Sequence, residues 1–287
     1  MKSAKDKPLV SVIIPTYNSQ TTLRQCLQSI RKQTYKRIET IVVDRHSTDE
    51  TVQIAKNFEV KLFYVTQERS TAKNLGAKNA RGKYLLFLDS DMELSSHVVE
   101  ECVKLCEEKD FDAAVVPLVT VAVGFLAECR KLEVELYSHD PNQFLMPRFF
   151  RKTVFFKVGG FDEKLICGED FDLARRCEMQ GYRIGRITTP IKHLEGTLSL
   201  KKMVLKAHYY GKSLLPFFSK EPTLVLRGYC PTRFAWNIKH LLKKPANLAG
   251  LAMIKLIEYI AYFIGILNST FGRFLPKRSE NETPNFY

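Results

Sequence analysis

The sequence predicts an α/β protein, a mostly parallel sheet flanked by helices, with a basic helical extension at its C-terminal side. Three patterns lead there. Short apolar runs bounded by turn residues alternate with amphipathic helical stretches through the first two hundred residues. Two of those runs, Glu39-Thr40-Ile41-Val42-Val43-Asp44 and Tyr84-Leu85-Leu86-Phe87-Leu88-Asp89, end in an acid, at the sheet edge where open α/β proteins bind ligands. Beyond Ser199 the composition turns basic and aromatic.

The elements follow in order. Leu9 to Ile14 is a β-branched run stopped by Pro15, hence a first buried strand. Ser19 to Gln33 reads as a helix, with Leu23, Leu27 and Ile30 on one stripe and Ser19 or Thr21 as cap. Glu39 to Asp44 is the second strand. Ser47-Thr48-Asp49-Glu50-Thr51 opens the next helix with a cap and acidic first-turn residues. Val60 to Val65 is the third strand, Ser70 to Ala80 a helix, and Gly82-Lys83 turns into the fourth strand. Ser95 to Lys109 is helical, Ala113 to Val123 strand-like, and Phe125 to Tyr137 helical by its Leu spacing. Phe149 to Val158 is basic and aromatic. Gly168-Glu169-Asp170 opens a helix over Phe171 to Gln180, closed by Gly181. Tyr182 to Thr188 is a short strand, and His193 follows it.

Beyond these, Lys201 to Phe218 is basic and aromatic, and Ala246 to Leu267 is apolar with few interruptions. Lys255, Glu258 and Tyr262 fall on one narrow polar stripe of that helix. The segment is long enough to cross a bilayer, yet it carries a Lys and a Glu near its middle, each expensive there. A helix lying in the membrane plane or shallowly inserted, flanked by Lys243, Lys244, Arg273, Lys277 and Arg278, fits better, with a packed helix of a small C-terminal subdomain as the alternative. These divisions predict a tail over 1–7, a catalytic domain over 8–198 (8–91 nucleotide-binding, 92–198 acceptor and catalytic), a membrane-associating region over 199–278 and a disordered tail over 279–287.

Charge supports the last third's separate character. The net charge is +13. Residues 199–287 hold fourteen Lys and Arg against four Glu and no Asp, which is ten of those thirteen positive charges. Such asymmetry points to an anionic partner, a membrane surface or nucleic acid. Seven cysteines without C-x-x-C spacing fit free thiols in a reducing compartment, and Met1 to Lys7 lacks an apolar signal core, so the expected location is the cytosol or the cytosolic face of a membrane.

Chemistry-bearing residues concentrate at predicted strand ends and a helix mouth: Asp44, Asp89 with Asp91, and Glu169 with Asp170. Asp89 and Asp91, separated by one residue, suit a hard divalent cation that in turn holds a diphosphate. No G-x-G-x-x-G follows the first strand and no G-x-x-x-x-G-K-[ST] occurs, which argues against dinucleotide oxidoreductases and P-loop enzymes. The diphosphate charge then falls to metal and to side chains such as Arg69 or Lys73.

The ordered set Pro15-Thr16-Tyr17-Asn18, Val43-Asp44 with Ser47-Thr48-Asp49, Ala72-Lys73-Asn74-Leu75-Gly76-Ala77, Leu88-Asp89-Ser90-Asp91, Gly159-Gly160-Phe161-Asp162 and Gly168-Glu169-Asp170 resembles the family-two glycosyltransferases of GT-A fold, over about residues 8 to 200. The resemblance implies a Rossmann-like sheet and inverting sugar transfer from a nucleotide-diphosphate sugar, UDP- before GDP-. It implies a nucleotide-sugar pocket of Pro15, Thr16, Tyr17, Asn18, Asp44, Arg69, Lys73, Asn74, Asp89 and Ser90, with Asp44 accepting from the base. It implies Mn²⁺ or Mg²⁺ held by Asp89, Asp91 and His193, and a catalytic pair of Asp170, as general base, and Glu169. Like-charge repulsion from Glu169 is expected to raise the pKa of Asp170. Two positions depart from the pattern: Arg45-His46 stand where relatives often have a second Asp and a Gly, and Lys73 stands where Arg is common. The expected acceptor is lipid-linked, of polyprenyl-phosphate type, or membrane-proximal. An acceptor phosphate is already ionised and would turn Asp170 into a positioning residue. The competing readings are a sugar-phosphate nucleotidyltransferase and a non-enzymatic nucleic-acid or scaffold protein. The first lacks its glycine-rich loop, and the second leaves the acids without a purpose.

Overall fold

The computed structural model describes residues 7–138, 146–220, 222–223 and 243–271. The tail expected over 279–287 and the basic residues Arg273, Lys277 and Arg278 lie outside them.

The apolar runs become β1 (Val10–Thr16), β2 (Ile38–Asp44), β3 (Lys61–Tyr64) and β4 (Tyr84–Phe87), joined by α1 (Leu23–Arg31), α2 (Thr51–Lys56) and α3 (Arg69–Asn79). They pair in parallel in the order β3-β2-β1-β4. Three further strands extend that sheet: β8 (Phe149–Arg151), β6 (Ala113–Val115) and β9 (Ile184–Arg186), with β8 antiparallel to both β4 and β6.

Strand period explains why the runs lack polar alternation: both faces are covered. Val10, Val12 and Ile14 of β1 pack with Leu86 under α1 and α4 (Val98–Glu108). Ile13, Leu85, Phe87 and Phe150 pack on the opposite face, under α3, α6 (Lys152–Lys157) and α7 (Glu169–Met179).

Three local expectations change. β1 runs through Pro15 to Thr16 rather than stopping at Ile14. The Ile13 carbonyl accepts from Leu88 on the β4 side, so by alternation the missing N–H of Pro15 faces the same side, past the last β4 residue paired with β1, Phe87. Pro15 therefore breaks no ladder bond. The Ala113–Val123 run is two strands. β6 stays in the main sheet, while β7 (Leu118–Val123), after Pro117, joins a second sheet of order β5-β10-β7 with β5 (Met92–Leu94) and β10 (Ile191–Thr197). Helix α1 is capped at Thr22, without a side-chain cap bond, and Ser19 contributes its carbonyl instead.

The remaining helices are α5 (Phe125–Ser138), α8 (Leu200–Lys220) and α9 (Pro245–Phe271). Helices α8 and α9 cross closely at Gly211 and Gly265, where a Cβ on either would run into backbone of the other. The polar stripe of α9 turns inward: Lys255 pairs with Glu133 of α5 and lies 3.0 Å from Glu258, which also meets Arg130. Cys26, Cys102, Cys106, Cys129, Cys167 and Cys177 are buried free thiols.

Candidate active site

Loops after four parallel strands converge on a cavity of about 270 Å³. Tyr17 follows β1, Arg45 follows β2, Arg69 lies beyond β3 at the start of α3, and Asp89 and Asp91 follow β4. Strand order reverses at this edge, since β2 lies on one side of β1 and β4 on the other; that is where open sheets leave a crevice.

Sheet pairing adds groups from far along the chain. β10 runs antiparallel to β5 with His193 opposite Met92, which brings His193 Nε2 to 3.1 Å from Asp91 Oδ2. Arg148 precedes β8, whose Phe149 pairs with Leu86 of β4, and its Nη1 donates to Asp89 Oδ2 at 3.1 Å. Helix α7 starts at Gly168, held at φ 78° and seated against the Phe217 ring, so glycine suits both the turn and the space. Its first turn carries Glu169 and Asp170, acids placed where a helix N-terminus favours them.

Helix α3 meets those acids with cations one turn apart. Arg69 Nη2 and Lys73 Nζ reach Glu169 Oε1 at 2.6 and 3.4 Å, and Lys73 reaches Asp170 Oδ1 at 3.3 Å. Lys73 is almost fully buried and also lies 4.7 Å from the Phe161 ring centre. Burial pushes the Asp170 carboxyl up, but Lys73, Arg148 and Arg69 outweigh it and leave the pKa below the usual Asp value. The rise expected from Glu169 does not occur, because Glu169 is itself neutralised by two cations. Asp89 is likewise driven well down: burial opposes ionisation, and Arg148, Lys73 and Arg69 overcome it.

Of the residues singled out in the sequence, Tyr17, Arg69, Asp89, Asp91, Asp170 and His193 line the cavity. Others act behind it. Asp44 is fully buried, with Oδ1 accepting from Thr16 Oγ1 at 2.9 Å and Ser47 Oγ at 2.6 Å, and Oδ2 from Ser47 N at 2.8 Å. It ties the ends of β1 and β2 together rather than facing the cavity. Asn18 sits at φ 47° and accepts from Thr48 N at 2.8 Å, fixing the loop that Pro15 and Thr16 lead into. Asn74 holds the Gly159-Gly160-Phe161 turn, donating to the Phe161 carbonyl and accepting from Phe161 N. Ser90 donates to Ser19 Oγ at 2.9 Å. Glu169 is buried as the partner of Arg69 and Lys73.

Sequence reasoning missed Arg148, Arg45, Glu68 and the α8 residues Lys206, Tyr209 and Tyr210, all in the cavity wall. Arg45 lies 5.2 Å from the Tyr17 ring centre and 3.4 Å from Glu68. Burial, with the Glu68 carboxylate nearby, pushes the Tyr209 hydroxyl pKa up. The one usable signal was a basic residue directly before the Phe149-Phe150 strand; the α8 residues lie beyond any motif.

The residues present suit a hard cation. Asp89 Oδ1 and Asp91 Oδ1 are buried without a hydrogen-bond partner. Among the described residues no cluster of three or more His, Cys, Asp or Glu side chains stands ready for a metal. Two carboxylates that leave further positions to phosphate oxygens and water match how Mg²⁺-type ions bind.

Comparison with known proteins agrees with this architecture. The family model described as glycosyl transferase family 2 matches residues 11–161. A protein named glycosyltransferase GlyA of Streptococcus pneumoniae is 41% identical over 112 residues, 37% of this chain and 16% of its own length. An uncharacterized glycosyltransferase, RP339, of Rickettsia prowazekii is 32% identical over 194 residues, 60% of this chain and 59% of its own. The chain thus spans less than two thirds of either relative. Among solved structures, mannosyltransferase PcManGT from Pyrobaculum calidifontis, in complex with GDP-Man and Mn²⁺, superposes with TM-score 0.62 at 19% identity over 95% of this chain and 90% of that one. S. aureus TarS 1-349 in complex with UDP-GlcNAc gives TM-score 0.55 at 19% identity over 93% and 92%. Both are likenesses of fold. With the family model covering over half of its residues, the chain belongs to glycosyl transferase family 2.

Proposed function

We propose that this protein is a metal-dependent inverting glycosyltransferase that moves a sugar from a nucleotide-diphosphate sugar, UDP- before GDP-, to a lipid-linked or membrane-proximal acceptor. The observation that carries the reading is one cavity at the carboxyl edge of β1 and β4 lined by Asp89, Asp91 and Asp170 together with Arg69 and Arg148. The membrane part is supported by the basic C-terminal third, and the corresponding location is the cytoplasmic face of a membrane, peripheral or shallowly inserted. Residues 8–198 would be the catalytic unit and 199–278 the membrane-associating region, with no role for nucleic acid.

In this reading Tyr17 and Arg45 face the nucleoside end of the donor, and Arg69 and Arg148 meet diphosphate oxygens. Asp89 and Asp91 would hold Mn²⁺ or Mg²⁺, which neutralises charge on the departing diphosphate when bound. His193, on Asp91 Oδ2, would fix that carboxylate and leave its Oδ1, which has no hydrogen-bond partner, for the metal. Asp170 is ionised at neutral pH. It accepts the proton of an acceptor hydroxyl while that oxygen attacks the anomeric carbon opposite the leaving diphosphate. With a lipid phosphate as acceptor there is no proton to remove, and Asp170 orients the nucleophile.

The test is a binding screen of UDP- and GDP-sugars with and without Mn²⁺, on wild type and Asp91→Ala. Binding of one donor that needs metal and disappears in Asp91→Ala supports the reading and names the nucleotide. Absence of donor binding under every metal condition removes it. Asp170→Asn separates the two acceptor classes: a loss of roughly 10²–10⁴ in kcat marks a hydroxyl acceptor, and a small loss marks a phosphate.

A further inference from the structure

Helix α9 has its polarity reversed for a helix at a protein surface. Its charged side chains point inward, with Lys255 and Glu258 tied to Glu133 and Arg130 of α5. Leu251, Ile254 and Ala261 are buried beside them. Its outward face is Met253, Leu256, Ile260, Phe263 and Ile264, with Leu256 61% and Phe263 60% exposed. A water-facing surface helix shows the opposite arrangement. Only 33% of the helix's apolar window, of mean hydropathy 1.7, is buried, so α9 is not an ordinary core helix. An apolar stripe of this length marks an interaction surface.

We infer that this outward face docks into an anionic lipid bilayer with α9 lying in the membrane plane. Two observations fix the partner and the orientation. Ten of the chain's thirteen net positive charges lie in residues 199–287, among them the exposed Lys243 and Lys244 just before α9 and Lys201 and Lys202 at the start of α8. Further, α9 is fastened to protein along its length, to α5 through Lys255 and Glu258 and to α8 through the Gly211–Gly265 crossing and the Asn268–His208 contact at 3.0 Å. A spanning α9 would carry the paired charges Arg130 and Glu133 of α5, and Lys206 and Lys212 of α8, into hydrocarbon, where charged groups are strongly disfavoured. An in-plane α9 keeps them on the protein side and submerges only the apolar stripe. The same α8 supplies Lys206, Tyr209 and Tyr210 to the cavity, so docking brings that wall of the cavity to the bilayer surface. The inference deepens the membrane-proximal acceptor reading, and it stands independently of the donor.

The experiment is vesicle flotation of the full chain without substrate, using phosphatidylcholine alone and with roughly 30% phosphatidylserine. Wild type is expected to float with the anionic vesicles, and Ile260→Glu/Phe263→Glu is expected to lose at least tenfold of that binding while keeping the wild-type circular dichroism spectrum. Orientation is read by tryptophan quenching with lipids brominated at two depths. Leu256→Trp and Phe263→Trp are each placed in a Trp236→Phe background, so the new residue is the chain's one tryptophan. Equal shallow depths mean an in-plane helix. Depths differing by about 10 Å, the rise of seven helical residues, mean a span and overturn the orientation. Wild type that stays unbound, or a double variant that floats as wild type does, overturns the docking surface. Flotation without donor binding counts against the transferase reading alone.

Discussion

Lys73 concentrates the site's electrostatics in one buried ammonium. It faces Glu169 and Asp170 together, so its removal strands negative charge in a site shielded from water. Lys73→Met is expected to destabilise the fold by about 3 kcal/mol in urea denaturation. Lys73→Arg should recover only part of that, because a planar fork does not replace a point charge in so closed a space. Glu39 gives the clearest pH signature. Burial pushes its carboxyl up, but hydrogen bonds from Lys61, Ser11 and the Arg81 backbone outweigh it and hold the group at about 2. The folded pKa lies below the ordinary 4.5, so the stabilisation is complete above that value and disappears as pH falls toward about 2. The stability gap between wild type and Glu39→Gln should be about 2 kcal/mol at neutral pH and close to nothing near pH 2.

At the scale of elements, the α8–α9 crossing is the joint between the cavity and the apolar surface. Backbone meets backbone at Gly211 and Gly265, so an added side chain cannot be accommodated by a rotamer change. Gly265→Val is expected to cost about 1–3 kcal/mol and to part the two helices. Limited proteolysis should then cut within residues 200–271 well before the sheet, and donor affinity should fall as Lys206, Tyr209 and Tyr210 move. Gly250 beside Cys129 and the Phe125 ring is a gentler control, since its neighbours are side chains. The pairing of β10 with β5 is the corresponding joint on the Asp91 side, because it brings His193 to Asp91 across 102 residues of chain.

For the whole molecule, charge and apolar surface act together. The positive excess of residues 199–287 is screened by salt, whereas burial of the exposed Leu256 and Phe263 in a bilayer would not be. Raising ionic strength from about 0.05 M to about 0.5 M should weaken attachment to anionic vesicles several-fold and leave a residual fraction bound, as read by co-sedimentation. Complete release would mean that the apolar face contributes nothing.

The local sequence determined the strands, the crossing helices and the edge at which acids gather. Continuous apolar runs can be buried only on two faces, and Asp, depleted in strands, marks where such a run leaves the sheet. Hence Asp89, Asp91 and Asp170 were visible from pattern and spacing. Tertiary structure decided which acids face the cavity and which brace it. Asp44 and Asp89 read alike as strand-end acids, yet Asp44 is filled by Thr16 and Ser47 while Asp89 keeps one carboxylate oxygen without a hydrogen-bond partner. It also decided the sign of the Asp170 shift, since its adjacent Glu169 predicts repulsion and the distant Lys73 and Arg148 supply attraction. The inward turn of the α9 polar stripe was hidden for the same reason. Helical spacing tells which residues share a face, and only the position of α5 tells which way that face looks.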